Sequence, residues 1–350
     1  MTPRDPVVGI VTIVHGRHHH LRRQLASLDR LPGTSTVHQV VVAMDDLDVA
    51  GMVGEQRAGS AVTRTVEVVE LAGGGDAGLP LAEARNVGAA AAVDLGVEVL
   101  LFLDVDCLAG RGLVQDYRAA IAAPLPEQDG RPGGPLLWCG QVAYLPALSP
   151  GVVDYPLDDL DGWASPHPAR PLLPAGAVQF SQDVRLFWSL NFAITVDDWY
   201  RSGGFHTGYR GYGGEDTDLA VGIAALGGGL AWVGGARVFH QHHPTSSPPW
   251  QHLDAILRNA TVFRERWGRY PMEGWLSAFA EAGAIEYQPH LGILRATAGG
   301  NVDGPGAEEN RTQARVTRPA IGSPVRGLGP ETPSPRRRDH DPGARPASER

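Results

Sequence analysis

Three apolar runs limit what this chain can fold into more than any other feature. "VVGIVTIV" (Val7 to Val14), "VHQVVVAM" (Val37 to Met44) and "VEVLLFLDV" (Val97 to Val105) are rich in β-branched residues. They lack the strict polar alternation of a strand wetted on one face, so they read as strands buried on both faces. Between them, "HHLRRQLASLDRL" and "PLAEARNVGAAAAVDLG" carry apolar residues at helical spacing. Strand, helix, strand, helix, strand implies an α/β fold with a parallel sheet and right-handed crossovers. Ligands of such sheets bind beyond the carboxyl ends of the strands. The polar residues just after each strand are therefore the first candidates: His15, Gly16 and Arg17, then Asp45 and Asp46, then Asp104 to Asp106.

Composition removes several classes. Among 350 residues there is no lysine, so all 30 basic residues are arginine. A phosphate-binding P-loop, a Schiff-base enzyme and a protein kinase each need a lysine at the reacting centre. The net charge of −9 argues against a nucleic-acid partner. Two cysteines give neither a disulfide framework nor a four-thiolate metal site. No stretch reaches the roughly 18 uninterrupted apolar residues of a membrane span, and the first apolar run lacks the flanks of a leader. A cytoplasmic location is expected, possible also at the inner face of the membrane as a peripheral protein. From Gly299 onward there is no aromatic residue, and Pro, Gly and Arg dominate. A disordered tail is expected over 299–350, after one catalytic domain over 1–298.

Two motifs carry metal chemistry. In "LLFLDVDCL", Asp104 and Asp106 follow an apolar strand and point the same way if strand geometry persists, which suits a shared divalent cation. In "ARVFHQHHP", His240, His242 and His243 follow another short apolar strand. Mixed carboxylate and imidazole ligation points to Mn²⁺ rather than the oxygen-preferring Mg²⁺, although Mg²⁺ stays possible. A third motif, "GYGGEDTDL", sets Glu215, Asp216 and Asp218 behind Gly213 and Gly214. Capping a helix N-terminus explains one acid, and three suggest a carboxylate held for proton abstraction.

Together, "LFLDVDC", "ARNVG" (Ala84 to Gly88), "NFAITVDDWYRSGGF" (Asn191 to Phe205) and "GYGGEDTDL" resemble GT-A fold glycosyltransferases in order and spacing. The likeness is to the β-1,4-galactosyltransferase C-terminal region and to bacterial family 2 glycosyltransferases carrying it, over roughly residues 7 to 275. The resemblance implies a Rossmann-like, mostly parallel sheet flanked by helices, with a nucleotide-sugar-binding half over 7–144 and an acceptor and catalytic half over 145–275. It implies that Asp104 and Asp106 are the DxD motif, with His240 and His243 completing a Mn²⁺ site where the galactosyltransferases use a Met and a His. Arg17, Asp45, Asp46, Arg85, Asn86, Asp104 and Asn191 would then contact the donor, a UDP-sugar being favoured. Asp216 would be the base and Glu215 would position the acceptor, with Tyr212, Gly213 and Gly214 beside it. The implied reaction is an inverting displacement onto a hydroxyl of a saccharide, a lipid-linked acceptor or a small metabolite. A binding protein that has lost catalysis and a nucleotide-sugar nucleotidyltransferase are the alternatives. The segment 145–183 would form an acceptor-side loop.

Overall fold

The computed structural model describes residues 5–297 apart from 34–35, 61, 63, 74, 76–77 and 124–131. The expected tail thus lies outside the described residues. The chain begins β1 (Val8–Val14), α1 (His18–Leu28), β2 (Val37–Met44), α2 (Asp48–Ala58), β3 (Thr65–Leu71), α3 (Leu81–Asp94) and β4 (Val99–Leu103). It continues through β5 (Cys107–Ala109), α4 (Leu113–Ala122), β6 (Leu136–Tyr144), β7 (Ser165–Pro166), β8 (Val178–Ser181) and β9 (Asn191–Thr195). The last part comprises α5 (Val196–Ser202), α6 (Glu215–Ala225), β10 (Gly229–His240), α7 (Leu253–Trp267), α8 (Glu273–Glu281) and the hairpin β11 (Ile285–Gln288) and β12 (Ile293–Ala296).

The main sheet runs β3-β2-β1-β4-β9-β6-β10-β5, with β7 and β8 off this path. Its first four strands are parallel, as their buried β-branched runs require. One unit of the winding is absent from the periodicity reading, because α2 and β3 intervene before α3. The buried stripe of α2 is only Val49, Met52 and Val53. β3 is an edge strand with no buried residue, so its sequence lacks the continuous apolar signature. Beyond β4 the sheet turns mixed: β9 lies antiparallel between β4 and β6, and β5 runs antiparallel to β10.

The core fills both faces of this sheet. One face packs Val11, Val42, Leu100, Phe102, Phe192 and Ile194 against α3 and α6. The other packs Ile10, Leu101, Leu103, Trp138 and Ala193 beneath α4. Within "ARNVG", Gly88 has a packing reason: a Cβ there would lie 2.5 Å from Val11 Cγ1 and 2.9 Å from Val42 Cγ2. Only glycine lets α3 sit this close to the sheet, and that closeness delivers Arg85 and Asn86 to the strand ends. The aromatic-rich stretch after α7 packs back on that helix, Tyr270, Leu276, Phe279 and Ile285 forming a separate cluster with Ile256. Among the described residues no helix is long and apolar enough to cross a membrane.

Candidate active site

The two aspartates lie where β4 ends. Asp104 N donates to Leu190 O at 3.1 Å, and Cys107 N closes a tight turn onto Asp104 O at 2.9 Å. From inside, Gln24 on α1 donates to Asp104 O at 2.7 Å and to Cys107 O at 3.2 Å. Ser27 Oγ, one turn further along α1, accepts Ala109 N at 2.9 Å. Gln24 and Ser27 are buried and hold the turn, a task that no local sequence pattern announces. The chain then enters β5 directly, and the register of β5 on β10 sets Cys107 opposite His240. Gln241 N also donates to Asp106 O at 2.7 Å. Strand pairing thus carries the histidine motif to the aspartate motif.

Asp106 is the meeting point. Arg17 Nη1 donates to its Oδ2 at 2.9 Å, His243 Nε2 stands 3.3 Å from the same oxygen, and His240 Nε2 stands 3.5 Å from Oδ1. One ligand atom from each of Asp106, His240 and His243 falls within 4.8 Å of the others. Burial works to raise the Asp106 pKa, but the His243 hydrogen bond and the His240 and Arg17 charges outweigh it and hold the carboxyl below the usual range. Burial lowers the pKa of His240 against the opposing charge of Asp106, so its ring is charged only in acid, the range in which Asp106 itself titrates. An ionised carboxylate and a neutral imidazole are the forms that ligate metals, so this donor set fits a divalent cation. His242 is exposed and stands outside the group. Asp104 is turned instead toward Arg85, 3.1 Å away.

Arg85 joins the start of α6 to the aspartate turn, bonding Asp104 and Glu215 at 3.1 Å each. Gly213 and Gly214 adopt φ of +95° and +96°, a left-handed backbone that L side chains rarely take, and this delivers the chain into α6 with Glu215 first. Asn259 of α7, wholly buried, donates to Tyr212 O at 3.3 Å and Gly213 O at 2.8 Å and accepts Arg210 N at 3.2 Å, fixing the loop. Tyr212 stacks on His252 at 4.6 Å between ring centroids and on Trp275 at 6.0 Å, with 41% of its surface open.

The three acids have different surroundings. Glu215 Oε1 accepts Arg85 Nη1 at 3.1 Å, while Oε2 is buried without a protein partner. Burial first, then the Asp216 charge, raise the Glu215 pKa to about 7 against the opposing pull of Arg85. Asp216 Oδ1 accepts Thr217 N at 2.6 Å and Thr217 Oγ1 at 3.3 Å, and burial raises its pKa. Asp218 is fully occupied by Tyr209 OH at 3.1 Å, Arg266 Nε at 2.8 Å and Trp267 Nε1 at 2.6 Å, so it ties α6 to α7.

The remaining candidates are spread around this centre. Asp46 accepts Gly16 N at 2.7 Å and pairs with His18 Nε2 at 2.8 Å, locking the loop after β1 against the end of β2. Asp45 and Arg17 both have positive φ, at 46° and 42°, and Asp45 Oδ1 accepts Gly73 N at 3.1 Å. Asn86 is paired with the backbone of Phe205 in both directions, at 2.8 and 2.9 Å. Asn191 is fully buried, bonded to Tyr117 OH at 2.9 Å and Ala236 O at 3.1 Å. The 145–183 segment is largely irregular, and its Tyr155 and Leu160 pack on Leu108 and Phe239.

The family model described as the N-terminal domain of galactosyltransferase matches residues 175–244, the stretch from β8 through β10. The validoxylamine A glucosyltransferase of Streptomyces hygroscopicus subsp. limoneus is 28% identical over 253 residues, covering 65% of this chain and 49% of that protein. Its counterpart in S. hygroscopicus subsp. jinggangensis is also 28% identical, covering 65% and 53%. These matches show a likeness to glycosyltransferases, centred on the stretch that holds α6 and β10. The chain spans about half the length of the curated relatives it matches. Among solved structures, the Pyrobaculum calidifontis mannosyltransferase in complex with GDP-Man and Mn²⁺ aligns at TM-score 0.47 and 15% identity, over 80% of this chain and 76% of that one. The S. aureus TarS 1-349 structure aligns at TM-score 0.47 and 13% identity, over 72% and 64%. Likenesses this distant carry no functional weight of their own.

Proposed function

We propose that this chain is a metal-dependent, inverting glycosyltransferase that moves a hexose from a nucleotide-sugar, a UDP-sugar being favoured, to an acceptor hydroxyl. The observation that carries the reading is two unlike carboxylate groups brought together around Arg85: Asp106 with His240 and His243 beyond Asp104, and Glu215 with Asp216 at the start of α6. The curated relatives are named as glucosyltransferases of validoxylamine A, which favours a small polyhydroxylated acceptor.

In this reading Asp106, His240 and His243 would hold the cation, and Asp104, paired with Arg85, would lie beside the donor. The donor set favours Mn²⁺ over Mg²⁺, since two of three ligands are imidazoles. When bound, the cation supplies Lewis-acid neutralisation of charge on the leaving diphosphate. Arg17 reaches the crevice from the loop after β1 and has 39% of its side chain open, so its guanidinium adds a second positive charge at the same place. Asp216 takes the proton of the attacking hydroxyl, and Glu215, the neighbouring carboxylate at the start of α6, positions the acceptor. A single in-line attack at the anomeric carbon breaks the bond to the diphosphate oxygen as the new glycosidic bond forms, which inverts the anomeric configuration. Tyr212, 41% exposed within an aromatic group with His252 and Trp275, offers the surface against which an acceptor ring packs.

The test is release of nucleoside diphosphate from UDP-, GDP- and TDP-sugars with and without Mn²⁺. Slow Mn²⁺-dependent turnover of one donor supports the reading and names the donor. Turnover of none, with no nucleotide binding by calorimetry, refutes it.

A further inference from the structure

We propose that Arg85 is a positioning residue that couples the donor side of the crevice to the acceptor side, an inference that rests on the glycosyltransferase reading above. Arg85 comes from α3, and its two terminal nitrogens end on carboxylates of two other elements. Nη2 donates to Asp104 Oδ1 at 3.1 Å, at the end of β4, and Nη1 donates to Glu215 Oε1 at 3.1 Å, at the start of α6. Its guanidinium carbon lies 5.3 Å from the centre of the Phe205 ring. The neighbouring Asn86 clamps the Phe205 backbone in both directions, and only 6% of the Arg85 side chain is exposed.

A structural ion pair needs one partner. This guanidinium has two, each in a different half of the reaction centre, and the charge of Asp216 also acts on it. A planar fork fixes both carboxylates in direction as well as in distance, which a point-charge ammonium cannot do. By holding Glu215 Oε1, the fork fixes the carboxylate that opens α6 and leaves its Oε2 buried without a protein partner. By holding Asp104 Oδ1, it orients the strand end that leads two residues later to Asp106. One positive charge is thus shared between the two sides, so a change at the acceptor carboxylate is felt at the cation and diphosphate.

The experiment is a double-mutant cycle on the full chain, read by calorimetric titration with Mn²⁺ plus UDP, GDP or TDP, keeping the nucleotide that binds tightest. Glu215 is outside the cation cluster, yet Glu215→Gln is expected to weaken Mn²⁺–nucleotide binding by about tenfold, because Arg85 then turns its charge wholly onto Asp104. In the Arg85→Lys background the same substitution is expected to change the Kd by less than about twofold. Equal effects of Glu215→Gln in both backgrounds overturn the coupling, and they are what a purely structural Arg85 gives, with lowered melting temperatures in both variants. An unchanged Kd in Glu215→Gln alone also overturns it, whether or not the lysine variant folds. A wild type that binds none of the three nucleotides with Mn²⁺ removes the glycosyltransferase reading itself, and the coupling with it.

Discussion

Asp106 and Glu215 are both buried carboxylates of the candidate site, and they hold protons with opposite strength. Asp106 meets Arg17, His240 and His243 and stays ionised well into acid. Glu215 meets one shared arginine and the charge of Asp216, and its pKa rises to about 7. Burial pushes both the same way, so the neighbours decide the outcome. Pairs of titratable groups driven apart in this manner mark a division of labour. The Asp106 side is suited to hold a cation and the Glu215 and Asp216 side to handle a proton.

Breaking the proton side should give the largest effect. Asp216→Asn is expected to cut transfer to an acceptor by about 100 to 10,000-fold while leaving Mn²⁺–nucleotide affinity within about threefold, measured as product formation and as calorimetric Kd. Breaking the cation side comes next. Asp106→Ala should weaken Mn²⁺ binding by at least about 100-fold, since loss of even an outer-shell partner of a metal ligand costs about 10 to 100-fold.

A third experiment sharpens the contrast through pH. Glu215 has a folded pKa above its unfolded value, so its contribution to stability is fully present below about 4.5 and is lost as pH rises through about 7. Wild-type stability should fall by on the order of 1 to 3 kcal/mol from this group across that window. Urea midpoints of Glu215→Gln should lack that slope. Asp106 has the reverse sign: its stabilising share is present above the usual carboxylate range and disappears only in strong acid. The smallest effects belong to the third acid and to the aromatic face. Asp218→Asn should lower stability by about 1 to 3 kcal/mol with metal binding unchanged, by denaturation and calorimetry. Tyr212→Ala should raise the acceptor KM by roughly 3 to 10-fold with little change in kcat, the scale of one aromatic stack.

The parts legible in the sequence were those whose signal is local. The strands β1, β2 and β4 announce themselves by β-branched runs, and the aspartates and histidines follow strands that a parallel sheet must present at one end. α2 and β3 escaped because a three-residue stripe and a half-wet edge strand leave little periodicity. Gln24, Ser27 and Asn259 escaped for a different reason. Their bonds reach the backbone of segments 80, 82 and 46 residues away, so nothing nearby marks them as supports of the site. Asp218 shows the same limit. In sequence it is one of three crowded acids, and only the arrival of Arg266 and Trp267 from α7 separates its structural task from that of its neighbours.

The most direct test of the account is electron paramagnetic resonance of Mn²⁺ titrated into the wild type and into Asp106→Ala, with UDP, GDP and TDP in turn. The account predicts that with one of these nucleotides the wild type immobilises Mn²⁺ at a single site, and that Asp106→Ala does not. An identical signal from both proteins, or none from the wild type with any nucleotide, would contradict it.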